Sequence, residues 1–67
     1  MMRIFVNGSE QMVADAITLA QLLETLGLSA TSCATAVNGT FVARGDRANR
    51  TLCDQDQVMT FEPITGG

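Results

Sequence analysis

The groups that usually perform catalysis are scarce in this chain. Its 67 residues include no His, Lys, Tyr or Trp. No Ser stands in a nucleophile elbow, and Gly8, Gly39 and Gly45 lack the spacing of a phosphate-cradling loop. Asp54 and Asp56 form one candidate acid–base or metal pair, but two carboxylates just before a strand read as a solvated turn. Cys33 and Cys53 are not a CxxC pair, and without His there is no zinc pattern. The catalytic, cofactor-binding and metal-ligating sets are therefore expected to be empty. What remains is the α-carboxylate of Gly67, at the end of Glu62-Pro63-Ile64-Thr65-Gly66-Gly67. At a Gly usage of about 7%, chance places Gly-Gly at a chain end in roughly one case in two hundred. Two residues without Cβ lie extended in a narrow channel, where a partner can approach the backbone closely. The chemistry this end offers is acyl activation, on a tail able to visit more than one active site.

Composition narrows the setting. The length allows one domain, with modest stability. An apolar share of 46% is that of a globular chain. The basic residues are Arg3, Arg44, Arg47 and Arg50, and seven acids leave a net charge of −3. That speaks against nucleic acid, which calls for a basic patch. The start shows no apolar secretory stretch and no run is long enough for a membrane helix, so a cytoplasmic location is expected, with no membrane partner. Both cysteines are then expected to be reduced thiols serving as small hydrophobic filler.

The elements that must carry the tail read in order. Met2, Ile4 and Val6 alternate with Arg3 and Phe5, a strand pattern. Asn7-Gly8 follows, a strong hairpin signal, and residues 11–14 return. Thr18 caps a helix with Gln21 completing a capping box. Leu19, Leu22, Leu23 and Leu26 form its apolar stripe, and Gly27 ends it. Residues 29–32 are a polar loop. Residues 33–37 form a small-residue strand, Asn38-Gly39 repeats the hairpin signal, and residues 40–43 return. Residues 44–56 are charged and irregular, with Leu52 pointing inward and no helical stripe. Residues 57–62 form a last strand, stopped by Pro63. A sheet apolar on one face needs a cover, and the single helix supplies it. The expected fold is α+β, a β-grasp (ubiquitin-like) domain over residues 1–63. It has a mixed sheet of four to five strands around one main helix, followed by a flexible Gly-Gly tail at 64–67.

Several segments carry a resemblance that spans nearly the whole chain: VNG at 6–8, TLAQLLETLGL at 18–28, AVNGTFVAR at 36–44, DQV at 56–58 and ITGG at 64–67. In this order and spacing they resemble the sulfur-carrier family of ThiS and MoaD. The length leans to the thiamin-synthesis branch; the ending FEPITGG leans slightly to the molybdopterin branch. The sequence departs from the family at Ala43, where Pro is frequent, at Arg47, in place of an aromatic or His, and at Gln55, before Asp56, where Gly is usual. The resemblance implies that an E1-like (ThiF-like) enzyme, using ATP that this chain does not itself bind, adenylates Gly67. Sulfur drawn from cysteine by a desulfurase then yields a thiocarboxylate, and a thiazole synthase (ThiG-like) accepts it. Thr65 and Gly66 would thread the partner's channel, and the chain would be a substrate and carrier rather than an enzyme. A MoaD-like role, a ubiquitin-like modifier and a plain interaction module remain open alternatives.

Strand parity adds one surface. If Ile4, Val6 and Val58 face the Leu stripe, then Phe5, Met59 and Phe61 collect on the uncovered face, an expected docking patch for partners. The tail, from Ile64 onward, has no anchoring side chain after Ile64 and is expected to be disordered when free.

Overall fold

Two Asn-Gly turns and one capped helix set the architecture. The computed structural model describes residues 1–28 and 33–61. The polar loop at 29–32 and the tail, with Thr65, Gly66 and Gly67, lie outside them. Five strands form one mixed sheet: β1 (Met2–Val6), β2 (Ser9–Val13), β3 (Ala34–Val37), β4 (Thr40–Val42) and β5 (Gln57–Phe61). Their order is β2-β1-β5-β3-β4. β5 runs parallel to β1 and antiparallel to β3, and the two hairpins flank it. This is the expected β-grasp architecture.

Both hairpins close with two residues. Asn7 and Gly8 have φ of 52° and 86°, and Asn38 and Gly39 have 52° and 82°. Positive φ at both central positions is what such a turn needs to match the strand twist. The tight turn starts β2 at Ser9, two residues before the expected start of the returning strand at 11. α1 (Leu19–Thr25) begins at a complete capping box: Thr18 Oγ1 accepts from Gln21 N–H, and Gln21 Oε1 accepts from Thr18 N–H. Gly27, at φ 72°, turns the chain out of the helix.

The helix buries Leu19, Leu22 and Leu23, and its Leu19 and Leu22 pack with Met2, Ile4, Val6, Val13, Val37, Val42, Leu52 and Val58. Each of those strand residues has the parity that faces the helix. Leu52 is inward as expected. Its N–H donates to Ile17 O, and Leu19 N–H donates to Arg50 O, so residues 50–52 are tied to the helix start.

Three local expectations are corrected. Residues 44–49 form a 3₁₀ helix rather than irregular chain. Arg47 within it is only 4% exposed. Its Nη2 donates to Cys33 O at 2.6 Å and its Nε to Thr35 Oγ1 at 3.1 Å, while Thr35 Oγ1 donates to Val42 O. A long cation thereby ties the 3₁₀ turn to β3 and β4. Cys33 is buried, as filler would be, but Cys53 is exposed. Asp56 is buried rather than solvated, accepting from Cys53 N–H and Asn38 Nδ2. Asp54 is the exposed member of that pair, and the Arg3 N–H donated to it holds its carboxyl below the usual range. Among the described residues, no group of three or more His, Cys, Asp or Glu is placed to hold a metal, and no helix is long and apolar enough to cross a membrane.

Two of the sequence departures are backbone matters with a testable consequence. Gln55 has φ 72°, the left-handed region that costs a side-chain-bearing residue about 1–2 kcal/mol. Ala43 has φ −66°, the value a proline ring imposes, and follows the last residue of β4. Alternation of the ladder from the turn-closing Val37–Thr40 pair leaves the Ala43 N–H out of the β3–β4 bonding. Gln55→Gly and Ala43→Pro are each expected to stabilise the fold by about 0.5–1 kcal/mol, raising Tm by roughly 2–8 °C. A thermal melt checks this; a lower Tm for either variant overturns the backbone reading at that site.

Candidate functional site: the open sheet face and the strand that leads to the tail

Among the described residues, the helix covers one face of the sheet, and the other is left to its own side chains. Register defines that open face. Met59 on β5, Ala36 on β3 and Phe41 on β4 stand in one row across three strands. Phe61 and Ala34 form the row beside it, towards the end of β5. Both open-face residues of β3 are alanines: Ala36, between Met59 and Phe41, is buried, and Ala34, beside Phe61, is half-buried. Met59, Phe61 and Phe41 are 44%, 50% and 67% exposed respectively, which places them on the surface rather than in the core.

The structure thus places Met59 and Phe61 where strand parity put them. Phe5 also has the open-face parity, but it is half-buried and stands beside Gln57 and Glu10. Beyond it the open face is mixed: Arg3 Nε pairs with Glu10 Oε1 at 3.1 Å, and Met12, opposite Arg3, is 53% exposed. The residue missed by sequence reasoning is Phe41. Its signal was present: a two-residue turn at Asn38-Gly39 with Val37 inward sets Val42 inward and Phe41 outward.

The strand that carries this patch also leads directly to the tail, and the two Asn-Gly turns hold it. Asn38 N–H donates to Gln57 O at 2.7 Å, and Asn38 Oδ1 accepts from Gln57 N–H at 2.9 Å. Asn38 Nδ2 reaches Asp56 Oδ1 at 2.9 Å. Asn7 N–H donates to Val58 O at 2.8 Å, Asn7 Oδ1 accepts from Thr60 N–H at 2.9 Å, and Asn7 Nδ2 donates to Thr60 Oγ1 at 2.9 Å. The repeated VNG is therefore more than turn chemistry, since each asparagine amide also bonds β5.

Geometrically, the arrangement is a partly exposed apolar patch on the strand that precedes residues 62–67. Residues 62–67 span at most about 20 Å when fully extended.

Comparison with known proteins agrees with this geometry. The sequence matches the profile of the ThiS family over residues 2–67. A crystal structure of the thiamine biosynthesis protein ThiS from Geobacter metallireducens is similar at TM-score 0.87 and 28% identity, covering 98% of this chain and 100% of that one. A solution NMR structure of a thiamine biosynthesis protein from the same organism is similar at TM-score 0.80 and 28% identity, covering 98% of this chain and 88% of that one. No curated protein sequence matches.

Proposed function

This chain belongs to the ThiS family, and on that premise we propose that it is a sulfur carrier of thiamin biosynthesis, with sulfur held as a thiocarboxylate on Gly67. The observation that carries the reading is the family match itself, which runs through Gly66 and Gly67 and covers the whole domain. The open apolar face on the tail-bearing strand supports it, because a carrier without catalytic side chains depends on docking to enzymes that have them.

The proposed chemistry runs in three steps. A carboxylate resists nucleophiles at neutral pH, so a ThiF-like enzyme first lets the Gly67 carboxylate attack the α-phosphorus of ATP, releasing pyrophosphate and leaving an acyl-adenylate. The terminal sulfur of a protein persulfide, supplied through a cysteine desulfurase, then attacks the acyl carbon and expels AMP. A thiol cleaves the resulting acyl disulfide, taking one sulfur into a new disulfide and leaving the thiocarboxylate. A ThiG-like thiazole synthase accepts that sulfur. In each step this chain presents the reacting end, Thr65 and Gly66 thread the channel, and Phe5, Met59 and Phe61, joined by Phe41, form the docking surface.

Intact-mass measurement tests the reading after incubation with ATP, a sulfur donor and an E1-like enzyme. The expected gain equals replacement of one oxygen by sulfur, lost again when the C-terminal residue is removed. A lysine-linked adduct instead marks a modifier of other proteins. No change with any adenylating enzyme overturns the carrier role.

A further inference from the structure

We propose that Asn7 is a positioning residue for the loading reaction: its side-chain amide substitutes for a missing backbone rung and holds the β1 side of β5 where that strand ends. The proposal rests on the carrier reading above. The parallel ladder between β1 and β5 ends early, pairing Phe5 with Gln57 and Val6 with Val58. Its next rung would be Thr60 N–H onto the backbone carbonyl of residue 7. The chain has already turned there, at φ 52°, and Asn7 Oδ1 accepts the Thr60 N–H in its place. Asn7 Nδ2 adds a second bond to Thr60 Oγ1.

The other neighbour of β5 does not hold this amide. Asn38 bonds the backbone N–H and, through its own N–H, the carbonyl of Gln57 on the β3 side. Alternation along the antiparallel ladder then points the Thr60 N–H away from β3, towards Asn7. One asparagine therefore holds the entry of β5, and the other holds the β1 side of its exit at Thr60, while Ala34 pairs with Phe61 on the β3 side. The adenylation site must receive a carboxylate only seven residues beyond Thr60, so freedom at Thr60 shifts the base of that short reach relative to the docking face. Misplacement of the order of 1 Å suffices to cost about a hundredfold in rate.

Two variants separate positioning from folding. Asn7→Gly keeps the positive φ of the turn and removes both side-chain bonds. Asn7→Asp keeps an acceptor for the Thr60 N–H and lets the Thr60 hydroxyl donate to it. Hydrogen exchange is read at the Thr60 amide, and pyrophosphate release from ATP is followed with the adenylating enzyme that loads the wild-type chain. In Asn7→Gly, Thr60 exchange is expected to rise roughly tenfold, with Val58 unchanged. Its kcat should fall at least about tenfold, while KM, which reports the intact docking face, stays within about twofold. Asn7→Asp should restore both readouts to within about twofold. Unchanged Thr60 exchange, or unchanged kcat in Asn7→Gly, overturns the proposal while leaving the carrier reading standing. A wild-type chain that no adenylating enzyme loads overturns the carrier reading and the positioning role with it.

Discussion

Deleting Gly67, or adding one residue after it, abolishes sulfur loading and leaves Tm unchanged. In the proposed chemistry the reacting group is the Gly67 α-carboxylate, and one residue moves it by up to about 3.5 Å along an extended chain. Near-attack geometry tolerates far less, since about 1 Å of misplacement already costs on the order of a hundredfold. An added residue also converts the Gly67 carboxylate into an amide, which cannot attack the α-phosphorus of ATP. Stability is untouched because the core cluster draws on residues from Met2 to Val58 and on the helix between them. Intact mass after loading and a thermal melt check the two halves. Sulfur gained by a tagged chain without prior cleavage places the reaction elsewhere than Gly67. A large fall in Tm on deletion shows that the last residue belongs to the fold.

Much of this architecture is legible because its signals are local. A capping box needs Thr18 and Gln21 only, and an Asn-Gly turn needs two neighbours with positive φ. Strand parity needs one inward residue per strand, and Ile4, Val37, Val42 and Val58 supply it. The same parity reaches Met59 and Phe61, and Phe41 follows from the two-residue turn at Asn38-Gly39, which sets Val42 inward and Phe41 outward.

What was not legible depends on partners far along the chain. Asp56 reads as a solvated acid until Asn38, eighteen positions earlier, is brought against it. The burial of Arg47 rests on the carbonyl of Cys33 and the hydroxyl of Thr35, twelve or more positions earlier. The 3₁₀ segment that holds it has no apolar period to announce it. The asparagine amides on β5 are of the same kind: the sequence shows why Asn suits the turn, but only the fold shows why Gly alone would not serve there. Thr60 stands 53 positions from Asn7. The family preferences for Gly at 55 and Pro at 43 become physical once φ is known at each site.

Phe61→Ala weakens partner binding about 5–30-fold and leaves folding nearly intact. Half-exposed on the open face, Phe61 loses little core contact when truncated, and a cross-strand pairing such as its register with Ala34 is worth about 0.2–1 kcal/mol. An aromatic anchor in the middle of an interface is worth about 1–2 kcal/mol or more, which sets the expected fall in affinity. Phe41→Ala, across β3, should behave alike. Leu22→Ala provides the contrast. Leu22 is fully buried at the centre of the cluster, and removing it should cost about 2–5 kcal/mol, a large part of a small domain's stability. Its Tm should fall by well over about 8 °C, while the fraction that remains folded should bind as tightly as wild type. The pair of measurements is thermal unfolding and affinity for the adenylating partner. A Tm loss for Phe61→Ala as large as that of Leu22→Ala makes Phe61 a core residue and sinks the docking assignment. Unchanged Tm with unchanged affinity removes Phe61 from both roles and moves the docking surface away from the patch on β5 and β4.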